Sequence, residues 1–390
     1  MSARMMEDGV YYVGSQDWDR QIFDELIPLP QGTSYNSYLI QGRDNTALID
    51  TVDPEKAHEL LKNLQELELK IDYIVSNHAE QDHSGSIPLI LEEYPEAVVV
   101  TNPKCKELLK NFLFIPEDKF KTIGDGDKIS LGGKTLEFIF TPWVHWPDTM
   151  VTYLEENKML FSCDFFGSHM ATSQLYSHEN EEVYSAAKRY YAELMMPFRP
   201  TIKNNLAKIS KRDIKTIAPS HGPIYSPANE IINLYKDWIS DETLNLVVIP
   251  YVSMHGSTRV MVDHLVDSLI KRGLVVKPFN LGHMDPGEFL MSLVDASTLV
   301  IASPTVLTGP HPLTVSNAYL INLLRPKLKY VAIMGSFGWG SRMEELLKGQ
   351  LSNLKVEYLE SISIKGLPTQ DDLEKIDALA DEILKKHESS

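Results

Sequence analysis

The sequence predicts an α/β protein in two parts, and three observations carry that reading. From Leu244 onward, five short runs rich in Val and Ile alternate with five helical stretches, the pattern of a parallel sheet covered on both faces. Before that point the order is irregular, with β-type runs, helices and a Gly-Gly hairpin intermingled. A chain of 390 residues also exceeds one ordinary domain, and its rhythm changes near Trp238–Asn245 without a long linker. The expected domains are therefore residues 1–243 and 244–390, the second a doubly wound five-stranded sheet.

In the first part, SYNSYLIQG, DNTALIDT, IDYIVSNH and EAVVVTN read as strands from their Val, Ile and Tyr content. PEKAHELLKNLQELEL spaces its apolar residues as a helix does, with Pro54 in the first turn. GDKISLGGKTLEFIFTPWVHW predicts a hairpin turning at Gly132-Gly133. KMLFSCD is a further strand, VYSAAKRYYAELMMPF one long helix, and IKTIAPSHG a strand running into a loop.

In the second part, LNLVVIPYVS, LVVKPFNLG, STLVIASPT, KYVAIMGSFGWG and VEYLESISIKG are the five strands. Between and after them come the helices STRVMVDHLVDSLIKRG, PGEFLMSLVD, PLTVSNAYLINLLRP, RMEELLKGQLSNL and QDDLEKIDALADEILKKH. Gly273 marks the end of the first of these.

Composition excludes some partners. Formal charge is 37 − 54 = −17, spread along the chain, which disfavours nucleic acid and anionic membranes. Two cysteines, Cys105 and Cys163, form no CxxC pair, so a thiolate zinc cluster is excluded. The N-terminal residues lack a signal-peptide core and no apolar run reaches membrane-spanning length, so a cytoplasmic location is expected.

The loop PYVSMHGSTR joins the first strand and helix of the second part. Ser253, Met254, His255, Gly256, Ser257 and Thr258 surround a helix N-terminus with hydroxyls and free N–H groups, a phosphate cradle. It has neither the lysine of a P-loop nor a GxGxxG, which favours a monophosphate. Two more loops leave strands on the same edge: SPTVLTGPHP, with Pro304, Thr305, Leu307 and Gly309, and GSFGWGSR, with Ser336, Phe337, Gly338, Trp339 and Gly340. Trp339, between two glycines, is placed to lie on a flat ring. This part resembles flavodoxin, which implies FMN as the ligand.

SNHAEQDHSGS, in the first part, puts His78, Glu80, Asp82 and His83 within six positions just past a strand. Alone, each is more often a surface or packing residue than a ligand. Three further donors stand after β-type runs: His145 in FTPWVHWPDT, Asp164 in LFSCDFFG and His221 in IAPSHGPIY. Donors from separate loops at one sheet edge are what a metal centre requires.

That series resembles the metallo-β-lactamase superfamily, whose HxHxDH motif and later His, Asp and His hold two metals. Here Glu80 replaces the second histidine, giving HxExDH. Exchanging imidazole for an anionic oxygen hardens the donor set and favours iron over hydrolytic zinc. An αββα lactamase-like half followed by a flavodoxin half resembles the flavodiiron proteins, over essentially the whole chain. The resemblance implies that His78, Glu80 and His145 bind one iron and Asp82, His83 and His221 the other, with Asp164 bridging. In that family water sometimes stands in the place of His83. His169, His178, His255 and His311 fall outside the implied metal sphere.

The resemblance further implies reduction of O2 to water, of NO to N2O, or of both, by an FMN and two Fe ions per chain. Two ferrous ions and a fully reduced flavin together supply the four electrons that O2 reduction takes. It also implies a head-to-tail homodimer or a tetramer, and an external electron donor, rubredoxin or reduced coenzyme F420, since no donor module is expected in this chain. Two rival readings stand beside it: a zinc hydrolase with an appended flavin domain, and a non-enzymatic electron carrier with a structural metal half.

Overall fold

A computed structural model describes residues 2–389. The chain divides into two compact units, one running to Tyr191 and resuming at Phe198–Ile239, the other formed by Ala192–Pro197 and the chain from Ser240.

The first unit is built on two sheets. The larger orders its strands Arg4–Glu7, Val10–Tyr12, Tyr38–Gln41, Thr46–Ile49, Tyr73–Val75, Val98–Thr101 and Phe120–Thr122. The smaller orders Lys128–Ser130, Thr135–Phe140, Met150–Leu154, Met159–Cys163 and Thr216–Pro219. Alternation along the strands divides their apolar residues between two faces. Ile40, Ile49, Val75 and Val100 of the larger sheet share one core with Phe138, Met150, Phe161 and Ala218 of the smaller. Leu39, Leu48, Ile74 and Val99 face the opposite way, onto the helices Ala57–Glu66, Ile87–Glu93 and Pro103–Leu113. The helix Arg199–Ile209 docks on the smaller sheet, where Lys208 Nζ donates to Phe140 O at 2.7 Å and Asn205 Nδ2 to Pro142 O at 3.1 Å. The layers therefore run helix, sheet, sheet, helix. Phe138 and Phe161 are both fully buried; truncating either to Ala costs about 3–5 kcal/mol.

Local chemistry accounts for the departures from expectation. SYNSYLIQG breaks into Thr33–Tyr35 and Tyr38–Gln41, because Asn36 turns aside to donate from Nδ2 to Pro219 O and Gly222 O. The helix from Val183 is regular only to Tyr190; a π turn at Tyr191–Met195 and a 3-10 turn at Met196–Phe198 precede Arg199–Ile209. Pro197 lacks an N–H, and Pro200 fits only the first turn of the helix that restarts. The strand Met150–Leu154 and the short strands before residue 33 carry no alternation strong enough to be read from the sequence.

In the second unit, the parallel sheet orders Val275–Asn280, Leu244–Tyr251, Ala296–Val306 and Tyr330–Phe337, with Glu357–Tyr358 and Ile362–Lys365 both beside the last. The expected fifth strand is thus two pieces, interrupted at Leu359–Ser361. Chain order reverses direction between the strands Leu244–Tyr251 and Ala296–Val306, the switch point at which such folds bind ligands. Helices Ser257–Lys271 and Gln370–Glu388 pack Met261, Leu265, Ile376 and Leu379 onto one face of this sheet. The helices Pro286–Asp295, Pro312–Leu324 and Met343–Gln350 bury Phe289, Ile321 and Leu347.

Candidate metal centre and phosphate cavity

Seven donors meet at the carboxyl ends of four strands in the first unit. His78 and Glu80 follow Tyr73–Val75, and Asp82 and His83 lie on the single turn Gln81–Ser84. His145, Asp164 and His221 follow Thr135–Phe140, Met159–Cys163 and Thr216–Pro219. Gly222, at φ 80°, lets the loop after His221 close on Ser168, whose Oγ would lie 2.0 Å from an added Cβ.

The donors fall into two sets that share one carboxylate. His78 Nε2 and His145 Nε2 each lie 3.1 Å from Glu80 Oε2, and Asp164 Oδ2 lies 3.7 and 3.4 Å from the same two nitrogens. The other oxygen, Asp164 Oδ1, lies 2.9 Å from His83 Nε2 and 3.5 Å from His221 Nε2. Asp82 completes this second set, 3.4 Å from His83 Nε2 and 3.1 Å from His221 Nε2. Donors about 2.1 Å from a common metal are separated by about 3.0–3.4 Å, and the separations here, from 2.9 Å to 3.7 Å, bracket that spacing.

Hydrogen bonding alone does not satisfy this cluster. Both oxygens of Asp82, Asp164 Oδ2 and His83 Nε2 are buried without a hydrogen-bond partner. Three carboxylates gathered in a nearly dry pocket require cationic compensation. Without metal the imidazoles carry it: burial opposes their charge, yet Asp164 and Glu80 hold His145 up at about 9, and Asp164 and Asp82 hold His221 up at about 10. Burial would raise the Asp164 carboxyl, but His83, His145 and His221 together hold it well below the carboxylate range. Two metal ions would replace those protons, and the acid-rich donor set suits hard cations such as iron.

The surrounding groups fix ligand orientation. His78 Nδ1 pairs with Asp148 Oδ2 at 2.9 Å, and His221 Nδ1 donates to Ser34 O at 2.7 Å, so Nε2 of each is left for the centre. Tyr190 donates its hydroxyl to Asp164 Oδ1 at 3.0 Å. Phe23 and Tyr35 set their rings 6.4 and 6.0 Å from that of His221. His169 is buried 4.7 Å from the His221 ring, with Nδ1 2.9 Å from Thr33 Oγ1; burial and then the His221 charge press its pKa well below the ordinary value. None of Asp148, Tyr190, Ser34 or Phe23 was evident from the sequence. Asp148, three residues past His145, carried the one readable signal; Ser34 acts through a backbone carbonyl and has none.

In the second unit a cavity of about 210 Å³ opens at the switch point. Met254, His255, Ser257, Thr258, Pro304, Thr305, Ser336, Phe337 and Gly338 line it, together with Gly366, which the sequence did not single out. Gly256 caps the helix Ser257–Lys271 at φ 93° and offers no side chain of its own; Ser253 Oγ takes the N–H of Arg259, which leaves the N–H groups of Ser257 and Thr258, both in the cavity wall, for a ligand. Thr258 Oγ1 and Ser336 Oγ are hydrogen-bonded to each other at 3.1 Å in its wall, and no acid lines it. Hydroxyls, free N–H groups and the absence of carboxylates fit a phosphate.

The other expected contacts stand back from the wall. Ser253 Oγ accepts from Arg259 N, Gly309 pairs with Val306 in a tight hairpin, and Leu307 is exposed. Gly256 acts through its backbone, Gly340 is outside the lining, and Trp339 is 76 % exposed.

The architecture is that of a metallo-β-lactamase-like metal unit joined to a flavodoxin-like unit. A profile described as "ODP family beta lactamase" matches residues 33–222. The chain is 35 % identical over 380 residues to a nitric oxide reductase of Moorella thermoacetica, covering 94 % of each chain. It is 32 % identical over 389 residues to a coenzyme F420H(2) oxidase of Methanothermobacter marburgensis, covering 96 % of each. Among solved structures it superposes on rubredoxin oxygen:oxidoreductase from Desulfovibrio gigas with a TM-score of 0.96 and 28 % identity, covering 100 % of this chain and 99 % of that one. On the flavodiiron protein from Giardia intestinalis the TM-score is 0.91 at 28 % identity, with 99 % and 98 % covered. The chain belongs to the flavodiiron protein family.

Proposed function

We propose that this protein is an oxidoreductase that reduces O2 to water, NO to N2O, or both, at two iron ions fed by FMN. The observation that carries the reading is the division of Asp164 between two ligand sets, one oxygen toward each. On this reading His78, Glu80 and His145 hold one iron, Asp82, His83 and His221 the other, and Asp164 spans both. FMN binds with its phosphate on Ser257, Thr258 and the free N–H groups at the start of that helix, and with its ring beside Thr305, Phe337 and Gly338. When bound, the irons supply the gas-binding positions and electrons, and the flavin supplies the remaining electrons.

The chain's own residues set the conditions for that chemistry. Asp148 and the Ser34 carbonyl lock the His78 and His221 rings, so that only their Nε2 atoms face the centre. The Tyr190 hydroxyl donates its proton to the shared carboxylate across 3.0 Å between oxygens and fixes its plane. Phe23, Tyr35 and Trp146 wall the histidines with aromatic carbon, which limits water around a centre that handles small apolar gases.

The domain assignment 1–243 and 244–390, a cytoplasmic location, a head-to-tail homodimer or tetramer, and rubredoxin or reduced F420 as donor belong to the same proposal. No helix among the described residues is long and apolar enough to cross a membrane. The alternative of a zinc hydrolase with an appended flavin domain gives the flavin no task. Metal and flavin analysis of anaerobically purified protein, followed by O2 and NO consumption with each donor, tests the reading. About two irons and one FMN per chain with gas turnover support it; zinc alone, or cofactors without turnover, overturns it.

A further inference from the structure

A second cavity in the flavodoxin-like unit, also about 210 Å³, has no part in the chemistry above. It lies at the amino ends of the sheet, opposite the phosphate cavity, and is lined by Glu242, Thr243, Leu244, Asn245, Ser297, Lys329 and His387. We propose that it binds a small oxyanion, a phosphate or a carboxylate, through Lys329 and Ser297.

Three observations support this. Ser297 is 3 % exposed and its Oγ has no hydrogen-bond partner, a buried donor of the kind that structures rarely leave unused. Lys329 is held in place by its backbone, its N–H donating to Ser297 O and its carbonyl accepting from Glu357 N, both at 2.9 Å. No ion pair within 4.0 Å engages its ammonium among the described residues, although Glu242 stands exposed at the rim. Lys329 is the one cationic side chain of the lining and Glu242 the one acid, so the cavity carries no net anionic charge to repel an oxyanion.

His387 explains why this site is built rather than incidental. Its Nδ1 lies 2.7 Å from Asn245 Oδ1, which can only accept, so Nδ1 carries the proton and Nε2 accepts from Thr298 Oγ1 at 2.7 Å. Both ring nitrogens are thus committed, and burial and then the Lys329 charge hold the ring in its neutral form. The imidazole forms a fixed wall, leaving the ammonium and the Ser297 hydroxyl as the free donors, with Thr243 near them. Lysine recognises phosphate and carboxylate as a point charge, and a buried hydroxyl adds direction. At about 30 Å³ per water, the cavity accommodates such an anion with part of its hydration.

The test uses FMN- and iron-loaded protein, so that the phosphate cavity of the flavin is already filled. Isothermal titration with inorganic phosphate and, separately, acetate is compared between wild type, Lys329→Gln and Ser297→Ala, with flavin absorbance reporting the fold of each. The expected result is saturable binding of one or both anions, weakened about tenfold or more in both variants while flavin absorbance is unchanged. Preference for phosphate or acetate identifies the anion class. No saturable binding at millimolar anion, or binding that both variants retain at wild-type strength, overturns the proposal.

Discussion

The metal centre and the phosphate cavity are both assembled at the carboxyl ends of strands, yet they are made from opposite materials. The first concentrates ionisable side chains in a dry pocket, with four imidazoles and three carboxylates touching. The second relies on backbone N–H groups, hydroxyls and glycines around an open space and contains no carboxylate. The difference follows from charge. Compact multivalent cations need anionic donors at fixed short spacing, whereas a phosphate needs donors and room. The metal centre should therefore fail sharply when one atom is removed, and the phosphate cavity gradually.

The largest effect is expected at the shared ligand. Losing an outer partner of a metal ligand costs about 10–100-fold in affinity or activity, so Asp164→Ala, which removes a donor from both sets, should cost more than about 100-fold in gas consumption. Iron analysis should show both sites depleted, with FMN absorbance retained. Glu80→Gln touches one set only. Its iron content should fall toward about one per chain, with turnover lost and the His83–His221 side still loaded, as Mössbauer spectra would register.

Asp148→Ala tests whether orientation matters separately from ligation. The His78 ring loses its Nδ1 partner, so iron affinity should drop about 10–100-fold, and excess iron should restore turnover. Thermal unfolding of chelated protein gives a pH signature. The His145 and His221 pKa values, about 9 and about 10 when folded, lie above their ordinary value near 6.5, so their stabilisation is full below about pH 6.5 and is lost as pH rises through 9–10. The metal-free Tm should therefore fall from pH 7 to pH 10, and the iron-loaded Tm should fall less.

Thr258→Val should give the smallest effect. It removes one hydroxyl from the phosphate cradle and leaves the helix N–H groups intact, so FMN should bind about tenfold more weakly, from the loss of about 1–1.5 kcal/mol. Flavin titration of the apo-flavin form would register it.

How much of each site could be read in advance follows the same division. All seven side chains that the structure brings together at the candidate metal centre were named from the sequence, because their chemistry is carried by side chains and their positions by strand ends. What orders them was hidden: Tyr190 sits on a distant helix, and Ser34 contributes only a carbonyl. In the cavity, nine of the expected residues line the wall, Trp339 stands exposed in the loop beside it, and Gly366 was unread. Backbone donors leave no letter in the sequence, and a glycine outside the three loops carries no signal of its own. The alternating second half disclosed its topology for a related reason: period-2 and period-3.6 runs are long there, whereas the first unit uses strands of two to six residues.

The central claim is that the two oxygens of one carboxylate serve two irons. Mössbauer and EPR spectroscopy of anaerobically purified protein, read beside the same spectra of Asp164→Ala, tests it most directly. Two high-spin irons per chain, magnetically coupled in wild type and with that coupling lost in the variant, are the predicted result. A single isolated iron in wild type, or coupling that persists undiminished once Asp164 is gone, would contradict the account.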